Sequence, residues 1–166
     1  MVEFALIAPV FFFLIFGLIE IAVMFIFMNT LDYGINETAR RIRTGELQTA
    51  GADASDFKEL LCGNLFDLLD CDDNLWVDVD RFDDFQAADA SDNALPIDDD
   101  GNLIDDFDYD PGGPSEIVLV QAYYKWDLIT PVLPELLNPA LSNPLINLGD
   151  RSRLLRAAAV FRNEPY

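Results

Sequence analysis

The sequence predicts an α+β protein built as a long N-terminal hydrophobic α-helix carrying a small antiparallel-sheet head. Three observations carry that prediction. Phe4 to Met28 is an apolar run interrupted by a single ionisable residue, Glu20. Leu75–Phe82, Ser115–Trp126 and Ser152–Arg162 have the length and patterning of strands, and long connections separate them. Acids outnumber bases 30 to 10 with no His, a formal net charge of -20, and most of them follow the apolar run.

The apolar run comes first. A helix of this length crosses a hydrocarbon core of about 30 Å. It is apolar on every side, so a soluble fold would have to surround it, and the acidic, loop-rich remainder lacks the surface to do so. A cleaved secretory signal fits less well, because no Lys or Arg occurs before Arg40 and the run exceeds a signal core of about 7–15 residues. Pro9 removes a backbone donor and tends to kink the helix, a defect that membranes tolerate when neighbouring helices satisfy the freed groups. Glu20 is a carboxylate near mid-span, which costs about 2.5–3.5 kcal/mol on the insertion scale for Asp, so it is expected to face protein or to be protonated. Glu3, at the start of the run, is placed to pair with a positive group on a neighbouring chain.

Beyond Met28 the apolar face narrows to Leu31, Ile35, Ala39 and Ile42, the period of an amphipathic helix, and Gly45 follows as a natural stop. Residues 1–45 are therefore read as the stalk, in the membrane before any assembly, and 46–166 as one acidic α+β head. The cluster Arg40, Arg41 and Arg43 does not by itself set the orientation across a bilayer.

In the head, Glu46–Ala54 turns small and polar and reads as a linker. Ser55 offers an N-cap to a helix whose apolar positions are Phe57, Leu60, Leu61, Leu65, Leu68 and Leu69. Cys62 and Cys71 meet if the chain turns back after Leu69. In an exported protein the two form one intramolecular disulfide, worth about 2–3 kcal/mol by loop closure, whereas a reducing setting would leave two core thiols.

Leu75–Phe82 alternates Leu75, Val77 and Val79 against Asp78 and Asp80, with Trp76 as the exception on the polar face. Ser115–Trp126 is the clearest strand. In Ser152–Arg162 the Ala run suits a helix equally well, and the partner strand decides. The segment Asp127–Asp150 contains Pro131, Pro134, Pro139 and Pro144 and is no single regular element. Its leucines cover the sheet or a neighbouring subunit.

Between Asp53 and Asp110 the only bases are Lys58 and Arg81. A solvated acidic face is the plain reading, and calcium is the sharper one. Ile97–Leu103, IDDDGNL, has part of the spacing of an EF-hand loop, but the first ligand position falls on Pro96 and the closing acid on Phe107. A calcium site outside that pattern would draw on Asp98, Asp100, Asp105 or Asp106.

Several function classes drop out. So negative a chain repels nucleic acid and anionic headgroups. Without His, and with two Cys, structural zinc and covalent haem are not expected. No Ser-His or Cys-His pairing and no glycine-rich phosphate loop exists, so the chain reads as a non-enzyme.

Four blocks carry a family resemblance: the opening VEFALIAPVFFFLIFGLIEI, then TARRIRTGE, DPGGPSEIVLVQAYYKWDLITPVL and the final AAAVFRNEPY. Together they resemble the TadE-like proteins, the pilin-like family of tight-adherence (Tad) pilus systems. The resemblance implies a type IV pilin-like lollipop, processed by a prepilin peptidase. It would stand in the bacterial inner membrane with its head in the periplasm or outside, and polymerise with itself or with other pilins through the pilus assembly machinery into an extracellular adhesive filament. The acid of the VEF block, Glu3, would then pair with the N-terminal amine of an adjacent subunit and set register. The sequence departs from that pattern at its start: no basic leader or cleavage-site Gly precedes Met1 and the acid stands third rather than fifth, so either a leader and a couple of mature residues lie ahead of this segment or the numbering starts inside the mature protein. A minor pilin that primes or caps another filament, a membrane-anchored assembly factor with Glu20 against a partner helix, and a calcium-dependent adhesin head are the alternatives.

Overall fold

The computed structural model describes residues 2–66, 68–92, 95–128, 145–150 and 152–166. The first element, α1 (Val2–Arg43), is one continuous helix that runs through Pro9. It ends where Gly45 takes a left-handed conformation (φ 76°) and where the ring of Tyr166 occupies the space of a side chain at position 45. The segment after it is not a linker throughout. Glu46–Ala50 forms a short helix, α2, pinned by buried Leu47 and closed by Gly51. Two glycines bracketing one buried leucine are enough for a single turn, which composition alone conceals.

The longest described helix of the head, α3 (Ala54–Gly63), has its N-cap two residues earlier than the Ser55 reading. Asp53 is the N-cap, its carboxylate accepting from the amides of Ser55 and Asp56 while Asp56 returns a bond to the Asp53 amide. The helix stops at Asn64, so Leu65 and Leu69 lie beyond it yet are still buried. A short turn of helix, α4 (Cys71–Asn74), leads into β1 (Leu75–Phe82). The Cys62–Cys71 disulfide is formed, with the Cα atoms 6.1 Å apart.

The sheet is an antiparallel meander in the order β1, β2 (Ile117–Asp127), β3 (Ser152–Arg162). The bounds of β1 and β3 coincide with the sequence expectation. Register pairs Val79 with Val120 and Ala122 with Ala157, so Leu75, Val79, Val118, Val120, Ala122, Leu155 and Ala157 share one face. That face packs on α1 and α3 and holds the main core. The Ala run of β3 is a strand because β2 supplies its full ladder, and Ala157 and Ala159 are small enough for α1 to lie close to the sheet.

The opposite face is covered at both ends. A fifth helix, α5 (Phe85–Asp92), sets Ala88 on Ile117 and Leu119. At the other end Trp76, Ile97, Leu103 and Phe107 pack around Tyr123, Leu148 and Leu154. Trp76 is thus no exception: it sits opposite Tyr123 on a second buried face. The four prolines Pro131 to Pro144, with Leu133, Leu136, Leu137 and Leu141, lie outside the described residues.

Candidate functional site

The helix α1 changes character along its length. From Leu31 upward, Leu31, Ile35, Ala39 and Ile42 are all buried against the head, as their spacing predicts. The approach is close: a Cβ at Gly34 would lie 2.7 Å from Leu65 Cδ2 and 3.1 Å from Leu61 Cδ1. One turn on, the Thr38 hydroxyl donates to the Gly34 carbonyl (2.9 Å) and accepts from Asn64 Nδ2 (3.1 Å), which binds the end of α3 to α1 without leaving that buried hydroxyl unpaired. Lower down, Phe27 meets Trp126 edge to face at 4.7 Å, and Met24 is the last stalk residue packed on the core.

Below Met24 large apolar side chains are exposed on all sides, among them Phe4, Phe11, Leu14, Phe16, Leu18 and Ile21. The helix is long and apolar enough to cross a membrane. Glu20 stands out here, 3% exposed between Ile19 at 52% and Ile21 at 46%. Glu20, Met24, Phe27 and Leu31 fall on one helical face at spacings of about 3.6, so Glu20 extends the head-facing stripe downward. Pro9 is exposed on the free part. Glu3 lies within α1, and its side chain is outside what the structure describes.

At the other end of α1 the chain terminus closes the head. The Glu164 amide donates to the Arg43 carbonyl (2.8 Å). Asn163, buried, donates from Nδ2 to the carbonyls of Pro111 (2.9 Å) and Gly113 (3.0 Å), and Gln48 of α2 donates to the same Pro111 carbonyl (2.9 Å). The TARRIRTGE, DPGGP and RNEPY blocks therefore meet at one junction. Periodicity gave no hint of this: the helical period of Ala39 and Ile42 places the first block at the end of α1, but nothing in the short polar DPGGP and RNEPY segments points to that end.

The acidic excursion is likewise built into the sheet. The Val79 amide donates to the Asp108 carbonyl (3.0 Å) and the Asp110 amide to the Val79 carbonyl (2.7 Å), so this loop lies along the outer edge of β1. An edge lined with carboxylates resists pairing with stray strands. Burial, with Asp80, Asp108 and Asp106 nearby, pushes the Asp78 carboxyl above its ordinary range, and burial with Asp108 and Asp110 does the same to Asp80. Arg81 offsets part of this, reaching Glu116 (2.9 Å) and Asp110 (3.3 Å).

In the calcium-like loop the Asp98 carboxylate accepts from the amides of Asn102 (2.7 Å) and Asp100 (3.0 Å) and from Asn102 Nδ2 (3.1 Å). The Asn102 bonds above all hold its carboxyl below the ordinary range. Asp98 thus serves as the anchor of its own turn. Asp100, Asp105 and Asp106 are exposed, and among the described residues no group of three or more acids, thiols or imidazoles is arranged to hold a metal ion.

Fold and site together define a stalk-and-head protein whose stalk is half packed into the head and half bare. Residues 1–40, which take in α1 except for its last three residues, match the family model described as TadE-like protein, the family that the four sequence blocks resemble. No curated protein and no solved structure matches the chain.

Proposed function

We propose that the chain is a structural, pilin-like subunit of a Tad-type pilus. It stands in the bacterial inner membrane with its head on the periplasmic side, is processed there by a prepilin peptidase, and polymerises through α1 into an extracellular filament used for adhesion. The observation that carries this reading is the bare apolar length of α1 from Phe4 to Val23, attached to a head that already has its own closed core. Such a surface is stable only in lipid or against other copies of itself, and transfer from the first to the second needs no refolding of the head.

Helix burial supplies cohesion in the filament and Glu3 supplies register, its carboxylate neutralised by the N-terminal amine of the next subunit. The acidic head faces outward, a structural part rather than a catalyst. The experiment is Glu3→Ala in the producing cells. The variant should remain in the membrane fraction and be missing from sheared filaments, and normal filaments would overturn the register role. Recovery of the parent chain only as a trace component would favour a minor pilin that primes another filament, and its confinement to membranes a membrane-anchored assembly factor.

A further inference from the structure

The turn between α3 and α4 is clamped from several sides. Leu65 and Leu69 are buried in the core, the Asp70 amide donates to the Tyr124 hydroxyl (3.3 Å), and the Cys62–Cys71 disulfide brackets the whole segment. Between these anchors Phe66 and Leu68 are turned outward. Phe66 is 65% exposed, although it is a large apolar residue, and its backbone sits at φ 55°, a left-handed conformation that bulky residues rarely adopt. Its ring stacks on that of Tyr33, itself 55% exposed, at 5.9 Å and 22°.

Nothing in folding asks for this. A glycine would take the same backbone without strain, and an exposed ring returns little burial energy. The place of the pair supplies a reason. Tyr33 stands about 8 Å beyond Met28 along α1, and Ile26 and Ile19 lie below it on the same helical face. The interfacial layer on each side of a hydrocarbon core is about 5–8 Å deep, and amphipathic aromatic rings concentrate there. On this face only Asn29 and Thr30 separate the apolar surface of the stalk from the Tyr33–Phe66 pair, and among the described residues of the otherwise acidic head this is the one stacked aromatic pair with both rings exposed, with Leu68, also exposed, two residues from Phe66.

We infer that Tyr33, Phe66 and Leu68 form a collar that seats the head on the headgroup–acyl boundary of a zwitterionic bilayer before assembly. This rests on the membrane-inserted reading of α1. The strained Phe66 backbone is held in the fold so that its ring meets lipid, which fixes the depth of the stalk and the tilt of the head.

The test places para-fluorophenylalanine at position 66, and in a separate sample at position 16, in the full chain reconstituted into phosphatidylcholine nanodiscs, and reads fluorine NMR. Lipid spin-labelled near its headgroup should abolish the position-66 signal, while a gadolinium chelate confined to water should leave it. Survival beside the lipid label overturns the collar, whether the ring then proves open to water or shielded from both probes by another copy. The position-16 reporter keeps the two claims apart: if it responds to lipid while position 66 does not, the membrane reading stands and the collar falls, and if neither responds both fall. A Phe66→Gly variant adds a second arm, retaining or raising the melting temperature of the head in micelles; a marked fall would make Phe66 an ordinary structural residue.

Discussion

Two halves of one helix meet different fates. Above Met24, α1 presents Leu31, Ile35, Ala39 and Ile42 to a sheet and a helix that bury them completely. Below it, Phe4, Ile7, Phe11, Leu14, Leu18 and Ile21 are exposed, and Glu20 is the buried residue among those described. The same type of side chain is spent inside the molecule in one half and kept for the outside in the other. The difference is in breadth: a narrow stripe with polar flanks matches one neighbour, whereas an apolar belt on all sides matches only a continuous environment, lipid or a bundle.

Mutation in the packed half should have the largest effect on stability. Ile35→Ala removes a fully buried side chain and should cost about 2–5 kcal/mol in unfolding of the head in micelles, whereas Phe12→Ala in the bare half should leave that transition in place and reduce recovery in filaments. Equal destabilisation by both would erase the division between the halves. Next in size, Cys62→Ser together with Cys71→Ser should cost about 2–3 kcal/mol, because the nine-residue separation closes a short loop, and chemical unfolding with matched controls reads it.

A pH titration of head stability comes next. Asp78 and Asp80 have raised pKa values, so their unfavourable contribution at neutral pH is relieved as pH falls through that raised range. Asp98 and Glu116 have lowered values, so the stability they add is present above the unfolded carboxylate range, about 4, and is lost as pH falls through their folded values. The melting temperature should therefore rise on mild acidification before it drops, and Asp80→Asn should flatten the rise. At the other end of the scale, burial pushes the Tyr109 phenol up to about 12, so stability should decline as pH rises from about 10 toward that value. The smallest effect is expected at Asp98→Asn, a modest fall in melting temperature that is the same with and without calcium because the carboxylate is engaged by its own turn; a fall seen only with calcium would make Asp98 a ligand.

The contrast between the halves also marks what a sequence can disclose. The stalk, the stripe from Leu31 to Ile42 and the strands Leu75–Phe82 and Ser152–Arg162 were legible because burial imposes a period, and a period is local information. Trp76 was misplaced because a second buried face depends on what packs there, residues from 97 to 107 and Leu148, far along the chain. The Asp53 cap was passed over for Ser55 since both residue types cap equally well and only geometry chooses. The junction of Asn163 with Pro111 and Gly113, and the outward Phe66 within a leucine-rich stretch, left no periodic trace, being set by single long-range contacts.

The central claim is that the bare half of α1 is an assembly surface. Electron microscopy of filaments sheared from the producing cells, with their subunits identified by mass spectrometry, tests it most directly. The account predicts fibres in which this chain is the dominant component and its bare helical half lies in the fibre core. Fibres that lack the chain, with the protein recovered only from membranes, would contradict it.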